Sequence, residues 1–260
     1  RDCSDHISRD IDAHVGSGTM IFIRSAVFNV VFYLNLICFL IVGLPLFVAP
    51  RSWAIAALKL WARSSVWWLK ILCGTTMEVR GLEHVPHGPA LIAGKHHSFW
   101  ETFALLPLLE DPCMVLKKEL TFIPVFGWFA LKFRMIAVER SAGSSAIRVM
   151  LKRAKREVVE GRQIVIMPEG TRKGPDDPPD YKSGVAALYA VLDVACVPFG
   201  LNAGLFWPRR KFLRYPGTIV VEFRPAIAPG LSRGAFQEAL QTAIEDSTRA
   251  LIAESRAKQN

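Results

Sequence analysis

The chain has little cysteine and gives it no pattern. Cys3, Cys38, Cys73, Cys113 and Cys196 are scattered and odd in number, with no Cys-x-x-Cys. That usage argues against a disulfide scaffold and a zinc finger, and fits a reducing compartment. A Gly-rich phosphate loop is missing, as is any basic run interleaved with aromatics, so nucleic acid is not an expected partner. Metal ligands are sparse: the adjacent His96 and His97 cannot easily share one ion, and no cysteine lies near them. Acidic residues are outnumbered, 23 Asp and Glu against 32 Lys and Arg, for a formal net charge of +9. With nucleic acid set aside, that surplus suits an acidic membrane surface or a phosphorylated substrate. Neither an internal repeat nor a linker between domains is visible.

Apolar residues are plentiful: 51% of the 260 residues, with a mean hydropathy of +0.26. From Ala26 to Ala49 the chain is almost purely apolar, weakened slightly by Asn29 and Asn35. Roughly 24 residues at ~1.5 Å each reach ~36 Å, enough to cross a ~30 Å hydrocarbon layer with tilt. Pro45 permits a kink and Pro50 should stop the helix. A signal peptide is the rival reading, but the run is too long and lacks a small-residue cleavage site; a re-entrant hairpin is the other. Arg51, Lys59, Arg63, Lys70 and Arg80 follow the run, which puts its C-terminal side in the cytoplasm. Residues 1–25 read as a disordered or weakly ordered tail, with Met20 as a candidate natural start. From Trp53 to Cys73, helical spacing puts Lys59, Arg63 and Lys70 on one face and Trp61, Trp68 and Leu72 on the other. This is the pattern of an interfacial amphipathic helix. Its rival is a helix packed on the core with a solvated stripe.

Chemistry gathers where two apolar runs end. Pro89–Ala93 reads as a buried strand, followed at once by Gly94-Lys95-His96-His97-Ser98-Phe99-Trp100-Glu101-Thr102. A histidine held by a carboxylate can take a proton from a hydroxyl. Helical i,i+4 spacing pairs Glu101 with His97, whereas His96 would need a non-helical turn. A plain solvated turn is the bland alternative. Gln163–Met167 is a second strand, leading into Pro168-Glu169-Gly170-Thr171-Arg172. There Gly170 lets backbone N–H groups approach an anion, unless Glu169 and Arg172 merely pair with each other. Arg134–Val138 is a further strand, ending in Glu139-Arg140, and arginine offers a planar fork for phosphate oxygens. Lys117 and Lys118 are candidates for the same task, or a solvated basic edge.

The remaining elements alternate. Helices are expected over Thr102–Leu109, from Ser144 or Ser145 to about Glu160, from Tyr181 to about Leu192, and after a Ser232 cap with Phe236, Leu240, Ile244 and Leu251 inward. Strands are expected at Met77–Arg80, Met114–Leu116, Ala195–Leu201 and Thr218–Phe223. Pro198 inside one of them suggests a bulge or a sheet edge. A Pro/Asp loop, 174–180, reads as mobile over the site. Such alternation means an α/β layered domain.

Together, His96-x4-Glu101 and Pro168-Glu169-Gly170-Thr171-Arg172 resemble the glycerolipid acyltransferase family, in particular the 1-acyl-sn-glycerol-3-phosphate acyltransferases. That family carries H-x4-D, a block ending in arginine, F-P-E-G-T-R and a later V-P. Here they stand, in the same order, as His96 to Glu101, Ala137-Val138-Glu139-Arg140, Met167 to Arg172 and Val197-Pro198. The resemblance covers roughly residues 75–225. Glu101 replaces the usual aspartate and Met167 the usual phenylalanine, a tolerable apolar swap. The resemblance implies a layered acyltransferase domain over 75–260, with a central mixed sheet flanked by helices. Membrane-anchoring helices over 26–74 would precede it. It implies His96 rather than His97 as base, Glu101 as its orienter, and Arg140, Glu169, Gly170, Thr171 and Arg172 as the acceptor site. It also implies lysophosphatidic acid as acceptor, acyl-CoA or acyl carrier protein as donor, membrane lipids as partners, and neither metal nor prosthetic group. The expected place is the bacterial inner membrane, with the catalytic domain on its cytoplasmic face. Two alternatives stay open: acyl transfer to another lysolipid such as a lyso-aminolipid, and a non-catalytic anionic-lipid binder.

Overall fold

The computed structural model describes the backbone of residues 2–139 and 143–258, with side chains from residue 18 onward. The central strands form where short apolar runs are buried on both faces. They are β1 (Thr75–Arg80), β2 (Ala90–Gly94), β3 (Pro112–Lys117), β4 (Ile136–Val138), β5 (Gln163–Ile166), β6 (Cys196–Leu201) and β7 (Gly217–Phe223). They make one sheet in the order β1-β7-β6-β2-β5-β3-β4. The β6–β7 pair is antiparallel and the others are parallel, so the sheet is mixed as expected. The helices are α1 (Asp2–Val42), α2 (Arg51–Cys73), α3 (Glu101–Ala104), α4 (Phe126–Lys132), α5 (Gly143–Val159), α6 (Gly184–Leu192), α7 (Ala203–Phe206) and α8 (Arg233–Ala257).

The twofold alternation along each strand divides the core into two layers. Leu91, Ala93, Ile164 and Ile166 face α5, α6 and α8, meeting Met150, Leu188, Phe236 and Leu240. Ile92, Val165, Val197 and Ile219 face the other way, toward Phe28, Phe32, Trp61, Leu69 and Phe103 of α1, α2 and α3. Each such side chain contributes about 1.5–3 kcal/mol of burial. Ser232 caps α8, its hydroxyl accepting from the Ala235 N–H at 3.3 Å, and Phe236, Leu240, Ile244 and Leu251 are all buried.

Several elements depart from their expected bounds. The apolar helix α1 begins at Asp2, within the stretch read as a tail, and stops at Val42 rather than Ala49. A 3₁₀ turn, Leu44–Phe47, follows because Pro45 cannot continue an α-helix. Residues Gly18–Val42 are long and apolar enough to cross a bilayer. Only the outer face of α1 is exposed, however, with Phe22, Val30, Tyr33, Leu34 and Ile41 on it, while Phe28 and Phe32 are buried in the domain. Asn35 donates to the Ser64 and Ser65 hydroxyls of α2 at 3.0 and 3.1 Å. Helix α3 is a single turn, and Pro107 turns its expected continuation into a 3₁₀ turn, Leu106–Leu108.

The face of α2 that carries Trp61, Trp68 and Leu72 packs on the domain core rather than on a bilayer, as in the rival of the interfacial reading. Trp61 is buried, its ring 5.9 Å from Phe32 and 5.6 Å from Phe103. Lys59 turns inward and donates to the carbonyls of Leu109 and Glu110 at 2.6 and 2.8 Å. The exposed apolar stripe is instead Trp53, Leu60, Trp67 and Ile71, with exposed Arg63 and Lys70 along one border. Pro198 is neither bulged nor at an edge: β6 lies inside the sheet, between β7 and β2. Its carbonyl accepts from Arg224, the residue after β7, so the missing N–H falls where that ladder stops.

Candidate active site

The parallel register puts the carboxyl ends of β2, β5, β3 and β4 side by side, the place where open α/β sheets hold ligands. Ala93 pairs with Ile166, so the turns after β2 and β5 are neighbours. They are joined directly by the Lys173 N–H, which donates to the His96 carbonyl at 2.8 Å.

A local turn decides between the two histidines. The Glu101 carboxylate accepts from the Ser98 N–H at 2.7 Å, and the Ser98 hydroxyl accepts from the Trp100 N–H at 3.1 Å. This folds the segment out of helical spacing and sets Glu101 Oε1 2.8 Å from His96 Nδ1. Glu101 is fully buried, while the His96 ring lies at the wall of a cavity. Nε2 of His96 has no hydrogen bond among the described residues and is left for another partner. His97 points the opposite way, fully buried, with neither ring nitrogen bonded. Burial, helped by the charge of Lys95, pushes its pKa down to about 3. It is therefore a neutral packing residue at ordinary pH.

The second turn brings Glu169, Gly170, Thr171 and Arg172 to the same cavity wall as His96. Gly170 adopts φ +66°, a left-handed conformation that glycine takes without strain. Arg172 is half-buried and makes no ion pair among the described residues, so the Glu169–Arg172 pairing does not form. Glu169 is buried and takes Lys95 Nζ at 3.0 Å. That lysine also reaches Glu245 of α8 at 2.7 Å, and the Tyr181 hydroxyl donates to the same Glu245 oxygen at 2.9 Å. Sequence reading missed this network. Lys95 at the end of an all-apolar strand was its one available signal; Glu245 and Tyr181 gave none. Lys117 lines the cavity beside its Glu119 partner, whereas Lys118 pairs with Glu139 at 2.6 Å. Arg140 lies outside the described residues.

The cavity has a volume of about 970 Å³. Its lining includes the polar side chains of His96, Arg172 and Lys182 and the apolar side chains of Leu40, Leu46, Leu58 and Phe129, from α1, the turn after it, α2 and α4. A base–orienter pair thus stands where a polar group and a long apolar chain could be held together. Among the described residues no cluster of His, Cys, Asp and Glu is suited to a metal ion.

The chain is similar to known proteins. Residues 76–202 match the model of the Acyltransferase family. A 1-acyl-sn-glycerol-3-phosphate acyltransferase of Pseudomonas aeruginosa is 35% identical over 208 residues, 78% of this chain and 81% of that protein. The chain belongs to the glycerolipid acyltransferase family. A lyso-ornithine lipid O-acyltransferase of the same organism is 29% identical over 141 residues, 54% of each chain. The crystal structure of the 1-acyl-sn-glycerophosphate acyltransferase of Thermotoga maritima has the same fold, with a TM-score of 0.73 at 18% identity. That likeness covers 88% of this chain and 96% of the other. In this acyltransferase the matched segment runs from β1 into the residue after β6 and contains both site turns.

Proposed function

We propose that this acyltransferase moves a fatty acyl group from an acyl thioester to the free hydroxyl of lysophosphatidic acid, giving phosphatidic acid. The observation that carries this is the His96–Glu101 pair, opening on a cavity lined both by apolar side chains and by Arg172, which is unpaired among the described residues. His96 Nε2 takes the hydroxyl proton as the oxygen attacks the thioester carbonyl carbon. Glu101 keeps the Nδ1 proton in place and stabilises the imidazolium that forms. When the carbon–sulfur bond breaks, His96 returns the proton to the leaving thiolate. Arg172 takes the acceptor's phosphate in its planar fork and fixes the hydroxyl near the base; the family resemblance gives Arg140 the same task. Glu169 acts through Lys95 as a brace rather than as a direct contact. Proton transfer and a guanidinium clamp supply this chemistry without metal or prosthetic group. The donor is acyl-CoA or acyl carrier protein.

The helices α1 and α2 line the cavity and carry exposed apolar stripes, which support attachment to a membrane. We place the enzyme on the cytoplasmic face of a bacterial inner membrane. The test is acyl transfer from labelled acyl-CoA and acyl carrier protein to lysophosphatidic acid, with wild type, His96→Ala and His97→Ala in parallel. Wild type should make phosphatidic acid, His96→Ala should lose activity by about 10²–10⁴-fold, and His97→Ala should keep a good part. A dead His97→Ala variant that still folds would show that the base is wrongly assigned. Transfer to lyso-ornithine lipid but not to lysophosphatidic acid would move the acceptor to an aminolipid. Vesicle binding without transfer to any lysolipid would leave a lipid binder.

A further inference from the structure

The polar residues within the apolar helix α1 have a specific use. The Ser25 hydroxyl accepts from the Arg214 N–H at 2.8 Å, and the Asn29 amide lies 3.4 Å from the Phe212 carbonyl. Both side chains fasten the loop Trp207-Pro208-Arg209-Arg210-Lys211-Phe212-Leu213-Arg214 to the helix. The loop is shaped from inside by Arg214, which is only 7% exposed. Its guanidinium lies 4.1 Å from the Trp207 ring centroid, and one nitrogen donates to the carbonyls of Lys211, Phe212 and Leu213 at 2.7, 2.9 and 3.0 Å. No carboxylate pairs with it among the described residues, although a buried, unpaired cation is costly. The loop's shape is what that cost maintains.

The shape turns three successive cations outward. Arg209 is half-buried, and Arg210 and Lys211 are exposed. Among the described residues none of the three makes an ion pair or side-chain hydrogen bond. Arg210 takes φ +56°, which reverses the chain at the tip. Beside them Phe212 is 46% exposed and stands 5.2 Å from the ring of Phe22, itself 55% exposed on the outer face of α1. The cations are therefore continuous with the apolar stripe of α1. A solvated basic edge needs neither the buried arginine nor an exposed phenylalanine beside it.

We propose that Arg209, Arg210 and Lys211 form a docking site for anionic phospholipid headgroups at a bilayer surface, with Phe212 and Phe22 entering the acyl boundary beneath them. The site is separate from the catalytic cavity, which none of these residues lines. It rests on the membrane attachment proposed above and adds a headgroup preference to it. Apolar stripes bind neutral and anionic bilayers alike, whereas three unpaired cations at headgroup level favour the anionic one and lose that preference as salt screens them.

The experiment is flotation of the full chain, freed of detergent, on vesicles of pure phosphatidylcholine and on vesicles with about one third phosphatidylglycerol, titrating lipid at low salt. Wild type should bind both and prefer the anionic vesicles. Arg209→Gln/Arg210→Gln/Lys211→Gln should bind neutral vesicles as wild type does and lose about a hundredfold in affinity for anionic ones, the size expected of three headgroup-level cations. Thermal unfolding of the variant should match wild type, since among the described residues the substituted side chains make no ion pair or hydrogen bond. Phe212→Ser should weaken binding to both compositions. If the triple variant keeps the anionic preference, the headgroup site is elsewhere and the proposal fails while membrane attachment stands. If wild type binds neither composition, membrane attachment itself is wrong and the proposal falls with it.

Discussion

Replacing Lys95 with methionine tests what binds the two catalytic turns together. The substitution keeps an unbranched side chain one atom shorter and removes its charge. Glu169, 1% exposed, then loses its cation, and among the described residues Glu245 keeps only the Tyr181 hydroxyl. Breaking a buried pair from one side costs about 3–5 kcal/mol, because a charge is left without compensation. Against a total stability of roughly 5–15 kcal/mol this is a large fraction. Adding Glu169→Gln removes the stranded charge, and the double variant should recover about 2 kcal/mol of the loss, within the range of contacting pairs. Activity should follow: a displacement of the His96 turn by about 1 Å is worth about a hundredfold in rate. The assay is urea unfolding in detergent micelles followed by tryptophan fluorescence, beside initial acyl-transfer rates. A single-variant cost under about 1 kcal/mol would refute the reasoning. So would a double variant whose loss is the sum of the two singles.

Three further outcomes follow from the same geometry. His97 has a folded pKa of about 3 against an unfolded value near 6.5, so the unfolded chain binds the extra proton; the stability due to neutral His97 is complete above pH 6.5 and lost as pH falls toward 3, by up to about 5 kcal/mol. A His97→Leu variant should flatten that slope when unfolding midpoints are measured across the range. Arg172→Gln should raise KM for lysophosphatidic acid by about 10–100-fold through the loss of charge-assisted hydrogen bonds, read from initial rates against acceptor concentration. Ala57→Phe places a ring in the cavity wall and should shift donor preference toward shorter acyl chains, read by competition between thioesters of different length.

The sheet was legible because its strands are short, continuous apolar runs between turn residues, as at Ala90–Gly94 and Gln163–Ile166. The site turns were legible because polar residues arrive abruptly at the ends of those runs. The choice between His96 and His97 was not legible from spacing, since it depends on Glu101 reaching back to the Ser98 N–H. Family resemblance pointed to His96, and the geometry supplies the physical reason for its pairing. Periodicity grouped Trp61, Trp68 and Leu72 on one face of α2 but could not say whether that face meets a bilayer or, as it does, the domain core. Glu245 could not be anticipated at all. Its contact with Lys95 spans 150 residues, and nothing local to α8 distinguishes it from a solvated glutamate.

That long span also has a consequence for the order in which the molecule is made. Chains emerge from the ribosome N-terminus first and fold by domains as they appear. Helices α1 and α2 and the His96 turn are all synthesised well before β5 and β6, the two strands that flank β2. Even then Lys95 still lacks Glu245, which comes on the last helix. The nascent protein can therefore present its apolar helices to a bilayer while its base is still unbraced. Docking of α8 is the event that completes the enzyme, and a chain halted before Glu245 should reach the membrane without becoming a competent catalyst.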